Sequence, residues 1–155
     1  VVIVVLEQLR LLAEDLQIIK INMRNSRNIQ TIFSAQAGTA PQTGLKIDVS
    51  DCNYVVLQFG TASSANMTVK FQGSLSDDAP DFSDSQSVTN HWDYIDVIDL
   101  QDGASIDGDT GIAPAGTDDF RLFQINCDGL KWLCATMTAR SAGTVTLKVR
   151  GFTKS

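Results

Sequence analysis

Met67-Thr-Val-Lys-Phe-Gln72 alternates apolar and polar residues with a period of two, the pattern of a β-strand with one buried and one wet face. Just before it, Tyr54-Val-Val-Leu-Gln-Phe59 is more continuously apolar and suits a central strand, and Ala62 to Asn66 reads as the turn between the two. The same alternation extends in both directions. Leu45, Ile47 and Val49 alternate with Lys46, Asp48 and Ser50 upstream; downstream, strands fit Trp92 to Leu100, Phe120 to Asn126, Lys131 to Thr138 and Thr144 to Arg150. In the last of these Val145, Leu147 and Val149 face inward, and Asp128-Gly129 and Ala142-Gly143 supply turn dipeptides. These signals predict a mainly β fold, an antiparallel β-sandwich of about seven strands in jelly-roll or Ig-like order, over residues 45–155.

The period is different at the start of the chain. Val2, Val5, Leu9, Leu12, Leu16, Ile19 and Met23 recur at intervals of three and four, the seam spacing of a coiled coil, and Glu7, Gln8, Arg10, Glu14, Asp15, Gln17 and Lys20 fall off the seam. This predicts an N-terminal α-helical arm over residues 1–33 that anchors or oligomerises the protein. Packing on the chain's own β domain is the ordinary alternative. The seam mixes β-branched residues with leucine, which does not enforce a dimer, so a homotrimer or another homo-oligomer is expected. Arg24 and Arg27, at the end of the arm, are candidates for contact with an acidic partner, and equally suit the negative pole of a helix C-terminus. Residues 34–44 are small and turn-rich and read as a linker.

Composition narrows the partners. The chain has 155 residues, 43% of them hydrophobic, and a net charge of −6. That balance disfavours nucleic acid and anionic membranes, both of which call for clustered Lys and Arg. Between Phe71 and Phe120 there is no Lys or Arg, and twelve of the eighteen acidic residues lie there, which makes exposed acidic loops. The apolar run Val1 to Leu6 is far shorter than the ~20 residues of a membrane span and lacks the flanks of a signal peptide. Cys52, Cys127 and Cys134 are odd in number and form no Cys-x-x-Cys pair, so buried reduced thiols are expected, consistent with assembly in a host cytoplasm.

Catalytic parts are few. His91 is the sole histidine, at a strand entry beside Trp92, with no triad order around it. The cysteines and His91 lack the chelate spacing of a zinc site. Calcium is the one candidate cofactor: Asp102, Asp107, Asp109 and Asp118 offer hard oxygen ligands in flexible loops, although the spacing is not that of an EF-hand. Trp92 and Tyr94, with Trp132, are the candidate aromatics for stacking on a sugar, against the commoner role of core residues.

The order Asn53-Tyr-Val-Val-Leu-Gln-Phe, Met67-Thr-Val-Lys-Phe-Gln-Gly-Ser-Leu-Ser-Asp-Asp, an aromatic strand, Gly129-Leu-Lys-Trp-Leu and Ser141-Ala-Gly-Thr-Val-Thr-Leu-Lys-Val-Arg-Gly resembles a β-sandwich domain of tailed-bacteriophage virion proteins. The resemblance covers roughly residues 50–152, and departs from the pattern at Asp77-Asp78-Ala79-Pro80, where a glycine-rich turn is usual. It carries no catalytic residue. It implies a non-enzymatic structural protein of the virion, a capsid accessory or decoration protein with major capsid or tail proteins as partners and no nucleic acid or membrane. The alternative it leaves open is a tail or fibre module that recognises a host carbohydrate, with calcium as a candidate requirement.

Overall fold

The computed structural model describes residues 29–116 and 118–152. Two strands of 21 residues each, β4 (Tyr54–Ser74) and β9 (Trp132–Phe152), run antiparallel along their whole length and form the spine of the molecule. Around them lie β1 (Gln30–Gln36), β2 (Gln42–Thr43), β3 (Ile47–Asp48), β5 (Asp93–Tyr94), β6 (Val97–Asp99), β7 (Ser105–Ile106) and β8 (Phe120–Asn126). Among the described residues all belong to one nine-stranded sheet, with the path β1-β9-β4-β8-β6-β7; β2 and β3 add to β9, and β5 adds to β4.

The spine is bent in its middle. The β4–β9 register shifts between Ala62 and Asn66 and twice more before Val69, and Ser63, Ser64 and Gly143 all have positive φ there, the geometry of a bulged corner. A bulge inserts unpaired residues and sharpens the local twist, so one long ribbon folds over into two halves. One half carries β1 and β8 on its flanks, and the other β2, β3 and β5. Val55, Leu57 and Phe59 from the first half and Met67, Val69 and Phe71 from the second enter one continuous core with Leu133, Met137, Leu147 and Phe123. Phe59 and Phe123 meet edge to face there, with centroids 6.1 Å apart.

Mainly β character is thus as the sequence indicated, but three expectations are corrected. In place of a sandwich of about seven strands the described residues form one connected antiparallel sheet of nine, because 62–66 and 142–143, which carry turn chemistry, are bulges inside continuous strands. The N-terminal α-helical arm over 1–33 is not supported: there is no helix among the described residues, and Gln30 to Phe33 lie in β1, paired with β9. Thr31, Ile32 and Phe33 are β-branched or aromatic, and pairing Thr31 with Lys148 and Phe33 with Leu147 buries Ile32 and Phe33 in the core. The stretch taken as a linker, 34–44, supplies the end of β1 and all of β2. The seam residues Val2, Val5, Leu9, Leu12, Leu16, Ile19 and Met23, with Arg24 and Arg27, lie outside the described residues.

Candidate functional site

The aromatic candidates occupy a satellite cluster on the outer side of the second half. Residues 75–92 fold back across it, tied down where Ser74 Oγ donates to the His91 carbonyl at 2.6 Å and Trp132 Nε1 donates to the Ser76 carbonyl at 3.0 Å. Trp92 is only 6% exposed and lies between Phe82, 6.3 Å away, and Tyr94, 5.2 Å away, over Cys134. Its ring is therefore a packing surface with both neighbours already in place. Tyr94 is half-buried, and the Lys70 ammonium sits 4.6 Å from its centroid. An open cleft of about 400 Å³ borders the cluster, lined by Gln42, Gln72, Phe82, Asp84, Trp92 and Tyr94 among others. Gln72 holds the covering loop by donating Nε2 to the Phe82 carbonyl at 3.0 Å, while Gln72 Oε1 and Trp92 Nε1 have no hydrogen-bond partner among the described residues. His91 is exposed in a left-handed turn, φ 54°, and its carbonyl serves the Ser74 bond.

The acidic loops use their carboxylates locally. Asp107 accepts the N–H groups of Asp109 (2.9 Å) and Thr110 (3.1 Å), Asp102 accepts that of Ala104 (2.8 Å), and Asp119 accepts that of Ala115 (2.9 Å). Asp102 and Asp107 close Asx-type turns, the reason Asp is frequent where chains reverse, and Asp119 reaches back to hold the loop before it. Asp102, Asp107, Asp109 and Asp118 are not brought together: among the described residues there is no cluster of three or more Asp, Glu, His or Cys side chains placed to hold a metal.

One acid is different. Asp99 is buried at the end of β6, where its carboxylate accepts the Gln101 N–H at 2.9 Å and pairs with Arg121 of β8. The Gln101 N–H first, then the Arg121 guanidinium, hold its carboxyl below the ordinary value. A depressed carboxylate stabilises the fold above its unfolded pKa, and that contribution is lost as pH falls through the lower folded value. Arg121→Met is accordingly expected to unfold at lower urea than the parent chain at neutral pH. The two denaturation midpoints should converge in acid, once Asp99 is protonated in both; a gap that stays constant with pH would assign the loss to packing of the arginine stem.

The cysteines are free thiols. Burial pushes Cys127 and Cys134 up to about 12, so both are neutral and poor nucleophiles at physiological pH.

The outer face of the first half is the least expected surface. Paired residues on neighbouring antiparallel strands share a face, and β9, β4, β8, β6 and β7 lie side by side. One row across them reads Arg150, Val56, Gln124, Ile98, Ser105. The next reads Lys148, Gln58, Leu122, with Leu100 hydrogen-bonded to Leu122 at 3.0 Å. Thr146, Gly60 and Phe120 follow on one side, and on the other Phe152 stacks on Tyr54 at 5.1 Å with Arg150 above it. Phe120 is 64% exposed, Leu100 43%, Leu122 42% and Tyr54 38%, so large apolar groups stand in solvent side by side. Sequence reading missed this face because it followed only the inward alternation. The signal was in Phe120-Arg-Leu-Phe-Gln-Ile125, which is apolar on both faces of its strand, a mark of a strand covered on both sides.

No family model matches the chain, and no curated protein matches it. Among solved structures, the chain is similar to the crystal structure of the SPBc2 prophage-derived protein YomS, at 12% sequence identity, with a TM-score of 0.54, over 79% of this chain and 90% of that one. That likeness extends to the fold.

Proposed function

We propose that the chain is a non-enzymatic structural component of a bacteriophage particle, a capsid accessory or decoration protein that is built in through its sheet surface. The observation that carries this reading is the exposed outer face, where Phe120, Leu122 and Leu100 stand in solvent on a rigid sheet. Contiguous apolar groups on a sheet face mark contact with another macromolecule. The shared fold of a prophage-derived protein supports a phage setting. A tail or fibre module that reads sugars would use an open aromatic platform, and the rings of Trp92 and Tyr94 are instead engaged by Phe82 and Lys70.

The test is mass spectrometry of gradient-purified particles from the phage or lysogen that encodes the chain. The protein should be present at copy numbers in fixed ratio to a major capsid or tail protein and should survive salt washing. Its absence from particles, with abundant protein left in the lysate, would overturn the proposal.

A further inference from the structure

The outer face is graded in charge from β9 to β7. Lys148 and Arg150 lie on β9, with only the edge strand β1 beyond it, and neither forms an ion pair with another described residue. The middle, β4 and β8, presents Val56, Leu122 and Phe120. The other margin, β6 and β7, is acidic: Asp96 stands just before β6, bound by the Gly108 N–H at 2.9 Å and near Ser105 Oγ at 3.5 Å, and Asp102 occupies the turn between the strands. In the order β1-β9-β4-β8-β6-β7 the midline falls between β4 and β8. At a strand spacing of about 4.8 Å, the basic strand β9 and the acidic strand β6 each lie about 7 Å from that midline, on opposite sides.

We propose that this face pairs with the same face of a second copy about a two-fold axis that runs between the two faces, over the line between β4 and β8. Rotation about that axis puts β9 of each copy over β6 of the other and β4 over β8, so both flanks match basic against acidic while Leu122 and Phe120 of β8 stay near the centre. A two-fold contact must be self-complementary, and a face positive at one edge, apolar in the middle and negative at the other meets that demand. An acidic partner would match only the β9 margin, and a basic one only the β6–β7 margin. The inference names a second copy as what covers this face, and it rests on the assembly reading above only for its setting in a particle.

The test is sedimentation velocity of the full chain at about 100 μM, well above the ~1 μM dissociation constant of a modest specific interface. The parent chain should sediment as a dimer. Leu122→Glu, an exposed position, should give a folded monomer. Lys148→Glu with Arg150→Glu should weaken the dimer about 100-fold by setting like charges across both margins, and Asp102→Lys should weaken it less. Mixing these last two should restore a dimer containing one copy of each, because each reversed margin then finds its opposite. A monomeric parent chain, a Leu122→Glu protein that still dimerises, or a mixture that gains nothing would each overturn the inference. A monomer whose outer face is nonetheless shielded from labelling would assign the cover to residues 1–28 and overturn it as well. The two proposals fail separately: a monomer found in particles sinks the two-fold contact alone, and a dimer absent from particles sinks the assembly reading alone.

Discussion

Gly143→Val should abolish cooperative folding or lower the unfolding free energy by on the order of 4 kcal/mol, because two penalties coincide at this residue. Gly143 has φ +75°, a conformation that costs a side-chain-bearing residue about 1–2 kcal/mol. A Cβ there would also stand 2.3 Å from the Cα of Ala65 and 2.7 Å from the carbonyl oxygen of Ala62, both backbone atoms of the facing bulge. Neither can step aside without moving the corner. The Gly143 carbonyl is fixed as well, accepting the Arg140 Nε–H at 2.8 Å. Gly103→Ala is the control: its φ is +76°, yet nothing lies within 4 Å of the added carbon, so it should cost only the conformational term. Urea denaturation of the two variants separates strain from collision. If Gly103→Ala and Gly143→Val cost the same, the close approach at the corner carries no energy. Since a domain of this size has only about 5–15 kcal/mol in hand, a loss of this size at one residue would make the corner a condition of folding.

That corner also shows where sequence reading stops. The inward rows were legible: Met67, Val69, Phe71, Val145, Leu147 and Val149 are buried, as their period of two implies, and the continuously apolar Tyr54 to Phe59 is the strand it was expected to be, with Val55, Leu57 and Phe59 buried. Ala62 to Asn66 and Ala142-Gly143 carry turn chemistry, and the local reading of such residues is a chain reversal. What makes them bulges is the partner strand, since each irregular segment sits opposite the other and the ladder resumes on both sides. A bulge and a turn use the same positive-φ residues, so only long-range pairing distinguishes them. The same limit applies to β1. Its pairing with β9 joins residues more than a hundred positions apart, a contact that no local pattern around Thr31 announces. The acidic loops were legible as loops, but not in role, because an aspartate that closes its own turn and one that binds a cation look alike until the N–H groups are placed. Trp92 was named as both a core and a ligand candidate, and its burial between Phe82 and Tyr94 follows from the fold-back of 75–92, a tertiary event.

Phe59→Ala should cost about 3–5 kcal/mol of stability, the ordinary range for emptying a fully buried phenylalanine site. Phe59 is 0% exposed and meets the ring of Phe123 edge to face at 82°, so Phe123→Ala should be comparably severe. Together they should cost less than their sum by about 0.5–1.5 kcal/mol, the part that belongs to the ring pair and can be lost only once. Strict additivity in urea denaturation would mean that the rings are neighbours without being coupled. The consequence reaches the outer face because the strands alternate. Phe59 and Phe123 point into the core from β4 and β8, and their chain neighbours Gln58 and Leu122 point out from the same two strands. Stability and association are thus written on opposite sides of one pair of strands. At temperatures where it stays folded, Phe59→Ala should keep the dimer constant of the parent chain, because the backbone of β8 is held by seven pairings to β4 that the substitution leaves in place. Leu122→Glu should do the reverse, removing association while leaving the unfolding free energy of the monomer nearly unchanged. If Phe59→Ala weakened both in step, the face would owe its shape to core packing, and side-chain alternation would no longer separate what folds the chain from what joins it to its copy.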